Sequence, residues 1–147
     1  MSRQMYFRTR NKRQRGQAVL ETALCFLIFA VLVLGVFDFG QFLFVHEALV
    51  ERARYSVRWG AINGATDHTS IQNMVLYSQS ATPTDGRGGY FGLTSSNVSV
   101  NDVGSGTDNY YLTVKISGYN FTSLSPYLPG SMTGPAITVS VPLGLYN

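Results

Sequence analysis

The chain holds one cysteine, two histidines and one tryptophan in 147 residues. The single cysteine, Cys25, cannot close an internal disulfide. It sits inside an apolar run, where a thiol is most simply a small buried apolar group. The histidines, His46 and His68, stand in unrelated contexts and make a poor metal-ligand set, even with Asp67 beside the second. No Ser/His/Asp or Cys/His arrangement can be assembled. Asp38-Phe39-Gly40 spells the magnesium motif of kinases, but the chain has no glycine-rich phosphate loop, no catalytic loop and too little length, so the match is chance. The expectation is no enzyme, no cofactor, no metal and no small-molecule substrate.

Charge is also scarce, at 13% of residues, and acid is missing altogether from residues 1–16. That stretch carries six of the eleven Lys and Arg: Arg3, Arg8, Arg10, Lys12, Arg13 and Arg15. The remaining residues hold five basic and eight acidic side chains, a net charge of −3. The basic pI therefore belongs to a leader. This demotes nucleic acid as a partner, which would need a basic face on the folded domain. An anionic membrane surface suits the leader better.

Polar residues then nearly vanish. Residues 22–45 contain two strongly polar side chains, Asp38 and Gln41, and residues 23–37 contain none. At about 1.5 Å per residue, 24 helical residues span about 36 Å, enough for a hydrocarbon core of about 30 Å. A buried helix of a soluble domain would show a polar face. The basic residues and apolar run also fit a secretory signal, but no small-x-small cleavage pattern follows Phe37, so the run reads as an uncleaved anchor on that side. The cations before it place the N-terminus in the cytoplasm and residues 46–147 across the membrane.

The helix is expected to continue. Residues 46–61 hold good helix formers, with Val45, Leu49, Ala53 and Val57 on one stripe at i+4 spacing. Glu51 and Arg54 can pair. Gly60 and Asn63-Gly64 are expected to end it. Thr66-Asp67 then caps a short helix with Ile71, Met74, Val75 and Tyr77 on its apolar side. Residues 81–92 read as loop, from Pro83, Asp85-Gly86 and Gly88-Gly89.

Alternation takes over next. Val98 and Val100, then Leu112, Val114 and Ile116, then Ile137, Val139 and Val141, mark three period-2 strands with one apolar face each. Residues 101–109 read as a turn and residues 123–135 as a longer loop. The fold class is α+β: a long N-terminal transmembrane and amphipathic helix packed on a small antiparallel β-sheet. Its parts are a leader at residues 1–16, the long helix at 17–61 and an extracytoplasmic domain at 62–147. Two sequons, at Asn97 and Asn120, are frequent by chance. Tyr110, Tyr111, Tyr119 and Tyr127 offer a candidate contact surface or strand packing.

The junction of leader and span carries the functional signal. Counting from the residue after Gly16, Gln17 is first and Glu21 fifth. A basic leader, Gly, and Glu at the fifth place before an apolar helix form the pattern of type IV prepilin-like proteins. Arg15-Gly16, Ala18, Glu21, Asp38-Phe39-Gly40 and the run Ala48-Leu49 to Ala53-Arg54 resemble the TadE-like family of Tad (Flp) tight-adherence pilus systems, over residues 15–61. The sixth place is usually aromatic there and is Thr22 here; Asp38 stands where Glu is commoner. The resemblance implies a pilin-like fold, cleavage between Gly16 and Gln17 by a prepilin peptidase, and a minor pilin or pseudopilin role among other pilins and pilus assembly proteins. It also implies that Glu21 pairs with the new α-amino group, within one chain or between neighbours.

The physics of that pair is independent of the family. Cleavage would remove all six leader cations and place an ammonium on Gln17, one helical turn from Glu21. A lone carboxylate costs about 2.5–3.5 kcal/mol at the centre of a membrane helix and less near its end. An ammonium within reach offsets that cost. Asp38, near the far end, is a candidate intramembrane partner contact or an interfacially solvated acid. The competing reading is a single-pass envelope protein with a ligand- or partner-binding outer domain, which would keep residues 1–16 and tolerate loss of Glu21.

Overall fold

The computed structural model describes residues 12–125 and 130–144, with side chains from Gly16 onward. Tyr127 and residues 1–11, with the leader cations Arg3, Arg8 and Arg10, lie outside the described residues.

One helix, α1, runs unbroken over Lys12–Asn63. It is longer than the span and stripe require, because Lys, Arg and Gln before the span are good helix formers. From residue 16 to residue 44 nearly all of its surface is exposed, on every face. Leu20, Leu24, Phe26, Ile28, Leu32 and Phe37 all point out from the helix. The segment Gly16–Asn63 is long and apolar enough to cross a membrane. Past that point the helix changes character. Val45, Leu49, Ala53 and Val57 are buried, as the i+4 stripe predicts.

The helix does not stop at Gly60. A Cβ there would lie 2.6 Å from Ile71 Cδ1 and 2.9 Å from Leu112 Cδ2, so glycine serves close packing, not termination. The end comes at Gly64, which takes φ +141° and returns its N–H to the Gly60 carbonyl at 3.0 Å.

Helix α2 spans His68–Tyr77. Asp67 caps it: the carboxylate accepts the Ser70 N–H at 3.1 Å, and the Ser70 hydroxyl together with that N–H holds its pKa below the ordinary range. Ile71, Met74, Val75 and Leu76 are buried. A loop follows, pinned to α1 where the Arg52 guanidinium lies 3.6 Å over the Tyr90 ring and Phe91 meets Phe44 edge-on.

Strands β1 (Val98–Val103), β2 (Tyr111–Ile116) and β5 (Ile137–Pro142) form an antiparallel sheet in the order β1-β2-β5. Register places Val100 opposite Val114 and Val114 opposite Val139, so one face is a continuous aliphatic layer. Helix α1 covers β2 and β5, and α2 covers β1. The other face carries Ser99, Thr113, Lys115, Thr138 and Ser140, with the Thr113 and Ser140 hydroxyls 2.8 Å apart.

Two expectations change here. Strand β1 runs on to Val103, three residues into the expected turn. The stretch expected as loop at 123–135 contains β4 (Met132–Thr133), which pairs with β3 (Asn120–Phe121) in a second, two-stranded sheet. Two-residue strands carry too little alternation to be read from sequence.

Candidate functional site

The candidate processing junction, Gly16 and Gln17, lies on the exposed surface of α1. Gly16, Gln17 and Glu21 are all exposed, and a Cβ on Gly16 would meet nothing within 4 Å. Glu21 makes no hydrogen bond or ion pair among the described residues. Thr22 is different: its hydroxyl donates to the Ala18 carbonyl at 2.8 Å. That internal bond satisfies the hydroxyl inside an otherwise apolar segment. Opening the helix at Gly16 would be easier than at an alanine, by about 1 kcal/mol of helix propensity.

Between Gly16 and Val45 the chain carries two charged side chains, Glu21 and Asp38, 17 residues apart. On a helix that is about 26 Å along the axis. Glu21 is exposed, whereas Asp38 is 5% exposed. The turn after β3 folds down onto Asp38. Its Oδ1 accepts the Leu124 N–H at 2.6 Å, and its Oδ2 accepts the Ser125 N–H at 3.0 Å and the Ser123 hydroxyl at 3.1 Å. The acid at the far end of the apolar run is therefore met by three donors of its own chain. Ser123, Leu124 and Ser125 carry no signal in the sequence, because this contact joins positions more than 80 residues apart.

A second tie stands one and two turns higher. Phe42 packs on Phe121 at 5.0 Å between centroids and stacks on His46 at 5.9 Å. His46 Nδ1 shares a hydrogen bond of 2.8 Å with the Tyr119 hydroxyl. Tyr119 is buried, and burial raises its pKa above the usual phenol range. The Tyr119 ring occupies the space a Cβ on Gly134 would need. Tyr119 is thus packing, one of the two roles open to it in the sequence.

The remaining histidine lies elsewhere. His68 Nε2 is 2.7 Å from Asp102 Oδ1, and the Tyr110 hydroxyl is 3.3 Å from Asp102 Oδ2. This trio ties α2 to the end of the sheet. Among the described residues no group of three His, Cys, Asp or Glu could hold a metal ion. Asn97 spends its amide on the Ser117 and Gly118 carbonyls, and Asn120 accepts from Thr133.

The span, the junction and the buried stripe fall inside one family match. The model for the family TadE-like protein matches residues 16–58. Residues 16–58 are similar to the TadE-like family. The match begins at the candidate scissile residue, takes in Glu21 and Asp38, and ends just before Gly60. It agrees with the resemblance read from the sequence. The TadE-like segment thus supplies the apolar helix and the stripe that receives the sheet, while the sheet itself lies outside it. No curated protein and no solved structure matches the chain.

Proposed function

We infer that the protein is a minor pilin or pseudopilin that takes part in assembling a Tad-type pilus. Its role is structural. It is anchored by α1 in a bacterial inner membrane, with the N-terminus cytoplasmic and the sheet domain outside. A prepilin peptidase cleaves between Gly16 and Gln17, and Glu21 then pairs with the new α-amino group, in the same chain or a neighbour. The observation that carries this reading is the TadE-like match starting at Gly16, on a helix whose apolar surface is exposed on every side.

The energetics support the order of events. Before cleavage, six cations hold the N-terminus on the inner side. After it, one ammonium remains, about 6 Å along the helix from Glu21. A carboxylate entering hydrocarbon is costly alone and much less so beside a cation. Asp38 needs no such partner to be satisfied, having three donors of its own. Glu21 is therefore the acid left for assembly.

The test is the intact mass and N-terminal sequence of the chain recovered from host membranes. A start at Gln17 is expected, with Gly16→Ala abolishing it. Glu21→Ala should leave cleavage intact and lose pilus production. A start at Met1 in the presence of an active peptidase, with piliation untouched by Glu21→Ala, would instead make this an anchored envelope protein with a partner-binding outer domain.

A further inference from the structure

The turn clasped by Asp38 has an unusual composition for a surface turn. Leu124 is 65% exposed, although its own N–H is held by the carboxylate. Beside it a groove of about 290 Å³ is lined by Gly35, Asp38, Phe39, Phe42, Phe121 and Met132. Five of these six carry no charge or polar side-chain group, and the sixth is Asp38, whose oxygens are already engaged. The groove is continuous with the exposed apolar surface of α1 through Phe39 and Gly35.

Depth decides what this surface faces. If α1 crosses a bilayer, the stretch from Glu21 to Asp38 measures about 26 Å, against a hydrocarbon core of about 30 Å. Asp38, Leu124 and the groove then lie at the far edge of the hydrocarbon. Irregular backbone is tolerated at that depth only when its N–H groups are satisfied within the protein. Asp38 does this for two consecutive amides, those of Leu124 and Ser125. In water the amide of the exposed Leu124 could be solvated instead; in hydrocarbon it could not.

We propose that the Asp38-clasped turn is seated in the far lipid interface, with Leu124 inserted among acyl chains beside α1. It gives the outer domain a second membrane contact that fixes its height and rotation about the helix. The proposal rests on the reading of α1 as a membrane span. Lipid is the occupant because the groove joins the lipid-facing surface of the helix and carries no free charge or hydrogen-bonding group to select a protein.

The experiment uses the full chain with Cys25→Ala and one spin label, at Leu124→Cys, diluted in phosphatidylethanolamine/phosphatidylglycerol vesicles. Collision with oxygen, which concentrates in hydrocarbon, is compared with collision with an aqueous nickel chelate. Val31→Cys marks the middle of the span and Lys115→Cys the exposed sheet face. The oxygen-to-nickel ratio at Leu124 is expected several-fold above that at Lys115 and near that at Val31. A ratio like that of Lys115, with Val31 lipid-like, overturns the seat and leaves the span standing. A water-like ratio at Val31 brings down the span and the seat with it. A label at Leu124 shielded from both reagents also overturns the seat, and its release on further dilution would assign the groove to a second copy of the chain.

Discussion

Asp38 and Leu124, 86 residues apart in the chain, are joined by a hydrogen bond of 2.6 Å from the Leu124 N–H to the Asp38 carboxylate. This bond and its two neighbours tie the sheet-bearing part of the chain to the helix at the point where the apolar run ends. They make Asp38 a structural residue of its own fold, which bears directly on how it responds to change.

Asp38→Ala should free the turn. Two amides would lose their acceptor, at about 1–3 kcal/mol for each donor left unsatisfied. Asp38→Asn keeps one acceptor oxygen and should cost less. Hydrogen exchange at the Leu124 and Ser125 amides is the direct measure: fast in Asp38→Ala, intermediate in Asp38→Asn, slow in the parent. Equal protection in all three would remove the clasp from the account.

Gly60→Ala pits helix propensity against packing. Alanine is the better helix former by about 1 kcal/mol. Its methyl, however, would press on Ile71 and Leu112, and overpacking of this kind costs about 1–3 kcal/mol. Net destabilisation is expected, read as a lower midpoint by near-ultraviolet circular dichroism in detergent. Gly35→Ala meets nothing within 4 Å and should be neutral or slightly stabilising.

Ser56 on α1 is fully buried, and among the described residues its hydroxyl has no partner. Leaving a buried hydroxyl unpaired carries a desolvation cost, and removing it relieves that cost. Ser56→Ala should therefore raise stability, by up to about 1 kcal/mol, in the same unfolding assay. A loss of stability would show that the hydroxyl bonds to something unseen.

Tyr119 sets an alkaline limit. Burial raises its folded-state pKa above the unfolded value near 10. The folded chain then holds the proton to higher pH than the unfolded one. That contribution is complete below about pH 10 and is lost as pH climbs through the folded value. The midpoint of the parent should fall steeply above pH 10, and that of Tyr119→Phe, which cannot titrate there, less so. At neutral pH the same variant should lose about 1 kcal/mol, the worth of the bond to His46.

Much of the architecture was legible in local patterns. The stripe of Val45, Leu49, Ala53 and Val57, the cap at Asp67 and the three alternating strands all appear where their periods place them. Each depends on neighbours within a turn or two, so the pattern and the structure it dictates share one short stretch of chain. The proposed processing signal from Gly16 to Glu21 is also local, six adjacent residues in a fixed order, and cleavage is its test.

What the sequence by itself determined, then, is every feature built from a period or a neighbour: the long apolar helix, its amphipathic continuation and the three-stranded sheet. Tertiary structure alone decided the rest. It turned Gly60 from a stop into a contact, because Ile71 and Leu112 arrive from elsewhere in the chain. It paired two strands of two residues each, too short to alternate. It also gave Asp38 its partners, because a carboxylate declares its charge locally and its donors only when residues 123–125 fold back upon it.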